Sequence, residues 1–180
     1  MNTLTKDLKV MDYPPLTEDL EEAKEHLDLY GMALIKNVLS SDEVNQMDQR
    51  LTEQFFGEEK HKVGSKVRGD EGLGVESSEE EKVSRLVWNL INKGDCFLKL
   101  IDHHKILPLI QHIIGERVCL CSMGAHMNGS GNERMALHQD QWPLVPHPMD
   151  FAFMANVMYL ISDNSQENGG TRLIPGSHKW

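Results

Sequence analysis

The segment FAFMANVMYLIS, residues 151–162, constrains the fold of this chain more than any other stretch. If it is extended, its odd-numbered and even-numbered residues form two opposite faces. Both of these faces are apolar, so the segment predicts a strand that is covered on both sides or lines an apolar cavity. Asn156 is the exception, because a lone amide on such a face needs a hydrogen-bonding partner. A pocket ligand or a neighbouring strand could supply that partner.

Helices are predicted over most of residues 1–116. Apolar residues recur at helical spacing in four stretches, and three of these stretches are followed by a glycine that would end the helix. In the clearest case, Ser40 and Glu43 form a capping box, and Gly57 is the predicted end. The predicted helices cover residues 16–30, 41–56, 83–91 and 102–114, and a short strand is predicted at residues 32–38.

The second part of the chain is predicted to be rich in strands. Residues 117–128, 151–162 and 171–176 are the predicted strands, and NSQENGG forms a turn before the last of them. Residues 57–82 are charged and glycine-rich, which is typical of a flexible loop or a lid. Helices followed by strands favour the α+β class, with helices flanking a sandwich or barrel. We expect one domain over residues 1–180, with barrel strands in 117–180.

Charge and cysteine usage limit the classes of function. The formal net charge of -10 argues against a main role in binding nucleic acid or an anionic membrane, because both need basic patches. No apolar run approaches the roughly 20 residues of a membrane span. The three cysteines, Cys96, Cys119 and Cys121, form no disulfide framework, because their number is odd and Cys119 and Cys121 lie in an apolar run, so we expect reduced core residues. The expected compartment is the cytoplasm.

The tripeptide His-Gln-Asp at residues 138–140 is the main candidate for chemistry. On an extended segment His138 and Asp140 project to the same side. An imidazole nitrogen and a carboxylate on one face form part of a chelate, and two histidines with one carboxylate are the ligand set of non-haem Fe(II) oxygenases. A structural His–Asp pair on a surface strand is the alternative interpretation. His103 and His104, adjacent on a predicted helix, point about 100° apart and are not expected to chelate one ion together.

Three blocks of sequence together resemble a known family. LYGMALIKNVLSSDEVNQM, HQDQWPLVPHPMDF and ENGGTRLIPGSHKW occur in the order and at the distances typical of the phytanoyl-CoA dioxygenase family. This family comprises Fe(II)/2-oxoglutarate-dependent oxygenases, and the resemblance runs from about residue 28 to the end of the chain. The C-terminal block is the most specific of the three.

The resemblance implies a fold, a reaction and a set of site residues. The implied fold is a double-stranded β-helix, or jelly roll, with helices packed outside it. His138 and Asp140 correspond to the first histidine and the carboxylate that bind iron, and Asn156 and Thr171 are the implied contacts to 2-oxoglutarate. The implied reaction is hydroxylation of a small organic substrate by O2, coupled to decarboxylation of 2-oxoglutarate. The segment QWPLVPHP, which includes Trp142 and His147, is the implied mouth of the pocket.

One part of the family pattern has no counterpart here. A second metal histidine and an arginine for 2-oxoglutarate are expected downstream of the PGSH motif, and the sequence ends at Trp180. His178 belongs to that motif and is not the family's ligand. We therefore expect the chain to be the N-terminal part of a longer oxygenase with an incomplete barrel, and an inactive fragment is one of the open alternatives. Two other functions stay open at this point, a non-catalytic jelly-roll binding module and a metal-dependent cupin that does not use 2-oxoglutarate.

Overall fold

The computed structural model describes residues 12–68, 83–128, 137–140 and 151–179. It is a mixed structure of helices and short strands. In chain order the elements are β1 (Leu16–Thr17), α1 (Leu20–Tyr30), β2 (Leu34–Ile35), α2 (Ser41–His61), β3 (Ser65–Arg68), β4 (Val83–Val87), α3 (Asp95–Leu98), α4 (Leu107–Ile114) and β5 (Ala125–Met127). Two single 3₁₀ turns, Leu90–Asn92 and Ser177–Lys179, complete the set.

The strands form two small sheets. β1 and β2 pair in parallel, and β3, β4 and β5 form an antiparallel sheet in which β4 is central. In that sheet Leu86 lies opposite Ser65 on one side and His126 on the other. The described residues contain no closed barrel, so the jelly roll implied by the family resemblance is not seen in this part of the chain.

The main core lies between α2, α3 and the three-stranded sheet. Its largest fully buried side chains are Phe97, Met47 and Val87. Tyr159 and Ile161 pack against this core from the C-terminal part of the chain. The core therefore ties residues 151–162 to the helical part of the protein. Burial of this apolar surface is the dominant favourable term in forming the arrangement.

The helix caps agree with the sequence. The Ser40 side chain accepts a hydrogen bond from the Glu43 N–H, and the Glu43 carboxylate accepts one from the Ser40 N–H, which confirms the capping box. α1 ends at Gly31 in the left-handed conformation, with φ 73°. Its start is later than predicted, since the Asp19 carboxylate caps the helix and residues 16–17 pair with β2 instead.

The prediction that α2 ends at Gly57 is wrong. The helix continues to His61 and ends at Lys62, which is left-handed with φ 57°. A glycine inside a helix costs only about 1 kcal/mol relative to alanine. Burial of Phe55 and the ion pair between Glu58 and Lys93 favour the longer helix. The predicted loop 57–82 thus contains the end of α2 and β3, and residues 69–82 lie outside the described part.

The helix predicted over residues 83–91 is also wrong, because Val83–Val87 is strand β4. Short apolar runs fit either a buried strand or a buried helix. Here β3 and β5 pair with both edges of the segment, and Asn89, with φ 56°, separates it from the following 3₁₀ turn. The tertiary partners therefore decide between the two structures. The helix predicted over residues 102–114 is confirmed in its second part, as α4.

The strands predicted in the second part of the chain are mostly unpaired among the described residues. Of residues 117–128 only Ala125–Met127 pair, and residues 151–162 and 171–176 form no ladder. Cys96 is buried as predicted. The prediction that Cys119 and Cys121 are core residues is wrong, since both are exposed and pair with no strand among the described residues. The even-numbered face of 151–162 is exposed rather than covered, with Met158 and Leu160 each 55% accessible.

No helix in the described part of the chain combines the length and apolar character that crossing a membrane requires.

Candidate functional site

His138 and Asp140 lie side by side in the described segment 137–140. His138 Nε2 is 3.3 Å from Asp140 Oδ1, and the two side chains are 49% and 50% exposed. The sequence prediction that both project to one side is therefore confirmed. Because both groups remain accessible, a ligand or ion could approach the imidazole nitrogen and the carboxylate oxygen together.

Asn156 joins this pair from a different segment of the chain. Its Nδ2 donates a hydrogen bond to Asp140 Oδ2. A carboxylate only accepts hydrogen bonds, so the amide nitrogen and not the amide oxygen must face Asp140. The sequence indicated that Asn156 needs a partner on its face of the segment. The structure identifies that partner as the candidate carboxylate itself.

Tyr159 anchors the segment that carries Asn156. Its hydroxyl donates to the backbone carbonyl of Leu100 at 3.0 Å. Its ring lies edge-on to His103, with 6.5 Å between the ring centroids. Burial raises the pKa of Tyr159 to about 12, so the hydroxyl keeps its proton, and with it the hydrogen bond, at any physiological pH. Sequence reasoning treated Tyr159 as an apolar core residue and missed this polar anchor.

The prediction that His103 and His104 lie on a helix and point about 100° apart is wrong. Both residues precede α4, and their rings stack with centroids 4.7 Å apart. His103 Nδ1 accepts a hydrogen bond from the Lys105 N–H at 3.3 Å, and burial and the neighbouring His104 lower the pKa of His103.

Thr171 is exposed and follows a tight turn at residues 163–170. Gly170 N–H donates to the Ser165 carbonyl at 2.7 Å, and a Cβ on Gly170 would lie 2.7 Å from that same backbone oxygen. The turn NSQENGG is confirmed, and the second glycine is favoured by this close approach of the backbone. The described contacts do not link Thr171 to His138, Asp140 or Asn156.

The PGSH motif, residues 175–178, packs on the C-terminal end of α1. Gly176 N–H donates to the Tyr30 carbonyl at 2.7 Å, and His178 Nε2 lies 3.3 Å from the Asp28 carbonyl. The His178 ring covers Gly31, where an added Cβ would lie 2.4 Å from its Nδ1. Tyr13 holds the same segment, because its hydroxyl bridges the backbone of Leu173. These contacts give His178 a packing role.

A cavity of about 250 Å³ between α2 and β4 is separate from these residues. Three of its charged side chains form ion pairs, since Glu58 bonds Lys93 at 2.8 Å and Glu59 bonds Arg85 at 3.3 Å. None of its lining residues belongs to the His–Asp–Asn group. The implied pocket mouth, including Trp142 and His147, lies outside the described residues.

The donor set at residues 138–140 fits a divalent iron. An imidazole nitrogen and a carboxylate oxygen are ligand types that Fe(II) accepts, and both are accessible on one side. They are two donors of the three that a facial site needs. Over residues 12–68, 83–128, 137–140 and 151–179, no three histidine, cysteine or acidic side chains come together as a metal site.

The fold and site thus define a mixed helix-and-sheet protein with an accessible His–Asp pair that is held by an asparagine. The chain belongs to the phytanoyl-CoA dioxygenase (PhyH) family, which it matches over residues 27–180. This match confirms the resemblance drawn from the three sequence blocks.

Several curated relatives are named as dioxygenases. Dioxygenase af480 of Aspergillus fumigatus is 28% identical over 165 residues, covering 92% of this chain and 51% of the relative. A protein of Stutzerimonas stutzeri described as "probable alpha-ketoglutarate-dependent hypophosphite dioxygenase" is 26% identical over 162 residues, covering 88% and 53%. Dioxygenase FUM3 of Gibberella moniliformis is 27% identical over 196 residues, covering 99% and 60%.

The chain spans about half the length of the curated relatives it matches. No solved structure matches it with statistical significance. The family and the relatives' names together support a dioxygenase.

Proposed function

We propose that this chain carries part of the active site of an Fe(II)/2-oxoglutarate-dependent dioxygenase that hydroxylates a small organic molecule. The observation that carries the proposal is the 3.3 Å approach of His138 Nε2 and Asp140 Oδ1 in a member of the PhyH family. We propose the double-stranded β-helix as the fold of this domain. The dependence of one relative on alpha-ketoglutarate, as its name states, supports this choice of cosubstrate.

In this proposal His138 and Asp140 hold the iron. His138 would offer Nε2 as a neutral imidazole ligand, and Asp140 would offer Oδ1 as a negatively charged one. Iron with 2-oxoglutarate and O2 would supply the oxidation of a C–H bond to an alcohol, with release of succinate and CO2. The exposure of both side chains leaves room for a cosubstrate and a substrate beside them.

Asn156 and Thr171 are the proposed contacts to 2-oxoglutarate, by their positions in the family pattern. Asn156 lies against the Asp140 carboxylate, which is compatible with a place at the edge of the cosubstrate site. Thr171 directly follows Gly169 and Gly170. Its side chain is exposed, so its hydroxyl is accessible to a ligand.

The test is anaerobic addition of Fe(II) and 2-oxoglutarate to the purified chain, followed by visible absorption. The expected result is a charge-transfer band that requires both additions and is lost in His138→Ala. His61→Ala is the matched control, because His61 is an exposed histidine at the end of α2, outside the site. This control should keep the band.

Other results of this experiment would support other interpretations. Iron binding that does not respond to 2-oxoglutarate would favour a metal-dependent cupin of another kind. The absence of iron binding in the wild-type chain would leave two alternatives, a non-catalytic binding module and a dioxygenase chain whose two donors alone do not hold iron. A band that persists in His138→Ala would remove His138 from the site.

A further inference from the structure

We propose that Asn156 is a positioning residue that fixes the orientation of the Asp140 carboxylate, in addition to any contact it makes with a cosubstrate. This inference rests on the proposed function, because it assigns Asp140 as a metal ligand. Two observations support it. Asn156 Nδ2 donates a hydrogen bond to Asp140 Oδ2, and Tyr159 anchors the segment that carries Asn156 through its hydrogen bond to the Leu100 carbonyl.

The two oxygens of Asp140 have different partners. Oδ2 accepts the hydrogen bond from Asn156, and Oδ1 lies 3.3 Å from His138 Nε2. The terminal torsion of an aspartate side chain is broad, so an unrestrained carboxylate would rotate. The amide of Asn156 restrains that rotation and keeps Oδ1 on the side of His138. One oxygen is thereby directed to a shared metal ion, which favours binding through a single oxygen.

Asn156 can restrain Asp140 only if its own backbone is fixed. Tyr159, three residues later, supplies that fixed point through its hydrogen bond to the Leu100 carbonyl. Along residues 152–161 the even-numbered side chains are exposed, while most of the odd-numbered ones are partly buried. This alternation is typical of an extended chain, in which residues three apart point to opposite faces. Because Tyr159 is anchored on the core, Asn156 lies on the exposed face of the segment, where it meets Asp140.

The contact is suited to tuning a ligand rather than to holding the fold together. Asn156, His138 and Asp140 are all exposed, and none of them belongs to the buried core. Loss of the amide should therefore leave folding nearly unchanged and act on the ligand geometry. Hydrogen bonds to metal-binding side chains typically change metal affinity by about 10–100-fold when they are removed.

The first experiment measures Co(II) affinity by calorimetry for the wild-type chain, Asn156→Leu and Met158→Ala. Leucine keeps the approximate shape of asparagine and removes the donor. Met158→Ala is the matched control, because it truncates an exposed side chain on the same face of the same segment. We expect Asn156→Leu to bind Co(II) at least about 10-fold more weakly and the control to match the wild type. If the wild-type chain binds Co(II) and Asn156→Leu binds it with the same affinity, the inference is overturned and the proposed function is left intact.

A second experiment needs no metal. The side-chain amide resonances of Asn156 are recorded by ¹⁵N NMR in the wild-type chain and in Asp140→Ala, with those of Asn92 as an internal reference. We expect Asp140→Ala to shift the Asn156 signals and leave those of Asn92 in place. Unshifted Asn156 signals would overturn the inference even if the metal binds. A wild-type chain that binds no Co(II) would overturn the role of Asn156 towards a metal.

Discussion

Replacing Gly31 with alanine tests how the PGSH motif is docked on the helical part of the protein. Gly31 is left-handed with φ 73° at the end of α1, and the His178 ring lies directly over it. An alanine Cβ would lie 2.4 Å from His178 Nδ1 and 2.6 Å from its Cγ. Both the backbone conformation and the space above the residue therefore oppose a side chain.

The expected loss of stability has two parts. A left-handed conformation costs an L-amino acid roughly 1–2 kcal/mol. Because His178 is exposed and its ring can shift, the contact adds about 1 kcal/mol, the low end of the cost of overpacking. Gly31→Ala should therefore lower the free energy of unfolding by about 2–3 kcal/mol, which corresponds to a decrease in melting temperature of roughly 4–12 °C for a chain of this size.

Urea unfolding followed by circular dichroism measures this loss. Gly57→Ala is the matched control, because Gly57 lies inside α2 with no atom within 4 Å of an added Cβ. This substitution should raise the free energy of unfolding by about 0.5–1 kcal/mol. In a double-mutant cycle, His178→Ala should remove the steric part of the Gly31→Ala effect and leave the backbone part. A Gly31→Ala chain as stable as the wild type would refute the docking of His178 on Gly31.

Two further predictions concern α2. Ser40→Ala removes the side-chain acceptor of the capping box and should lower the free energy of unfolding by about 1 kcal/mol. Urea unfolding measures this loss. An unchanged urea midpoint would show that the cap does not form. Burial raises the pKa of the Glu58 carboxyl, but hydrogen bonds from Lys93 and Gln54 outweigh it and hold the pKa below the usual 4.5. A lowered folded-state pKa stabilises the fold above pH 4.5, and this stabilisation is lost as the pH falls through the folded value. Glu58→Gln should therefore cost about 1 kcal/mol at pH 7 and progressively less below pH 4.5, and an equal cost at pH 7 and pH 3 would contradict the assignment.

Local signals in the sequence predicted the structure well where neighbouring residues supply the partners. The capping box of Ser40 and Glu43 and the end of α1 at Gly31 are confirmed, because both depend on groups within a few residues of one another. The turn before Thr171 is confirmed for the same reason. Gly57 was misleading, since a helix tolerates a glycine when its flanking turns are held by burial and by an ion pair such as Glu58 with Lys93.

The sequence was least informative where distant segments pair. Val83–Val87 has spacing that suits a helix, and it becomes the central strand because β3 and β5 bond to both its edges. Residues 151–162 have two apolar faces, yet only the odd-numbered face packs on the core among the described residues. Both outcomes depend on contacts between residues far apart in the chain, which a local pattern does not encode.

The sequence by itself determined the family, the His138–Asp140 pair and the local helix caps, because these depend on residue identity at short spacing. Tertiary structure decided that Asn156 bonds Asp140 and that Tyr159 anchors the segment of Asn156 on the Leu100 carbonyl. It also decided that His178 packs on Gly31. The members of these contacts are 16, 59 and 147 residues apart in the chain, and only folding brings such residues within hydrogen-bonding or van der Waals distance.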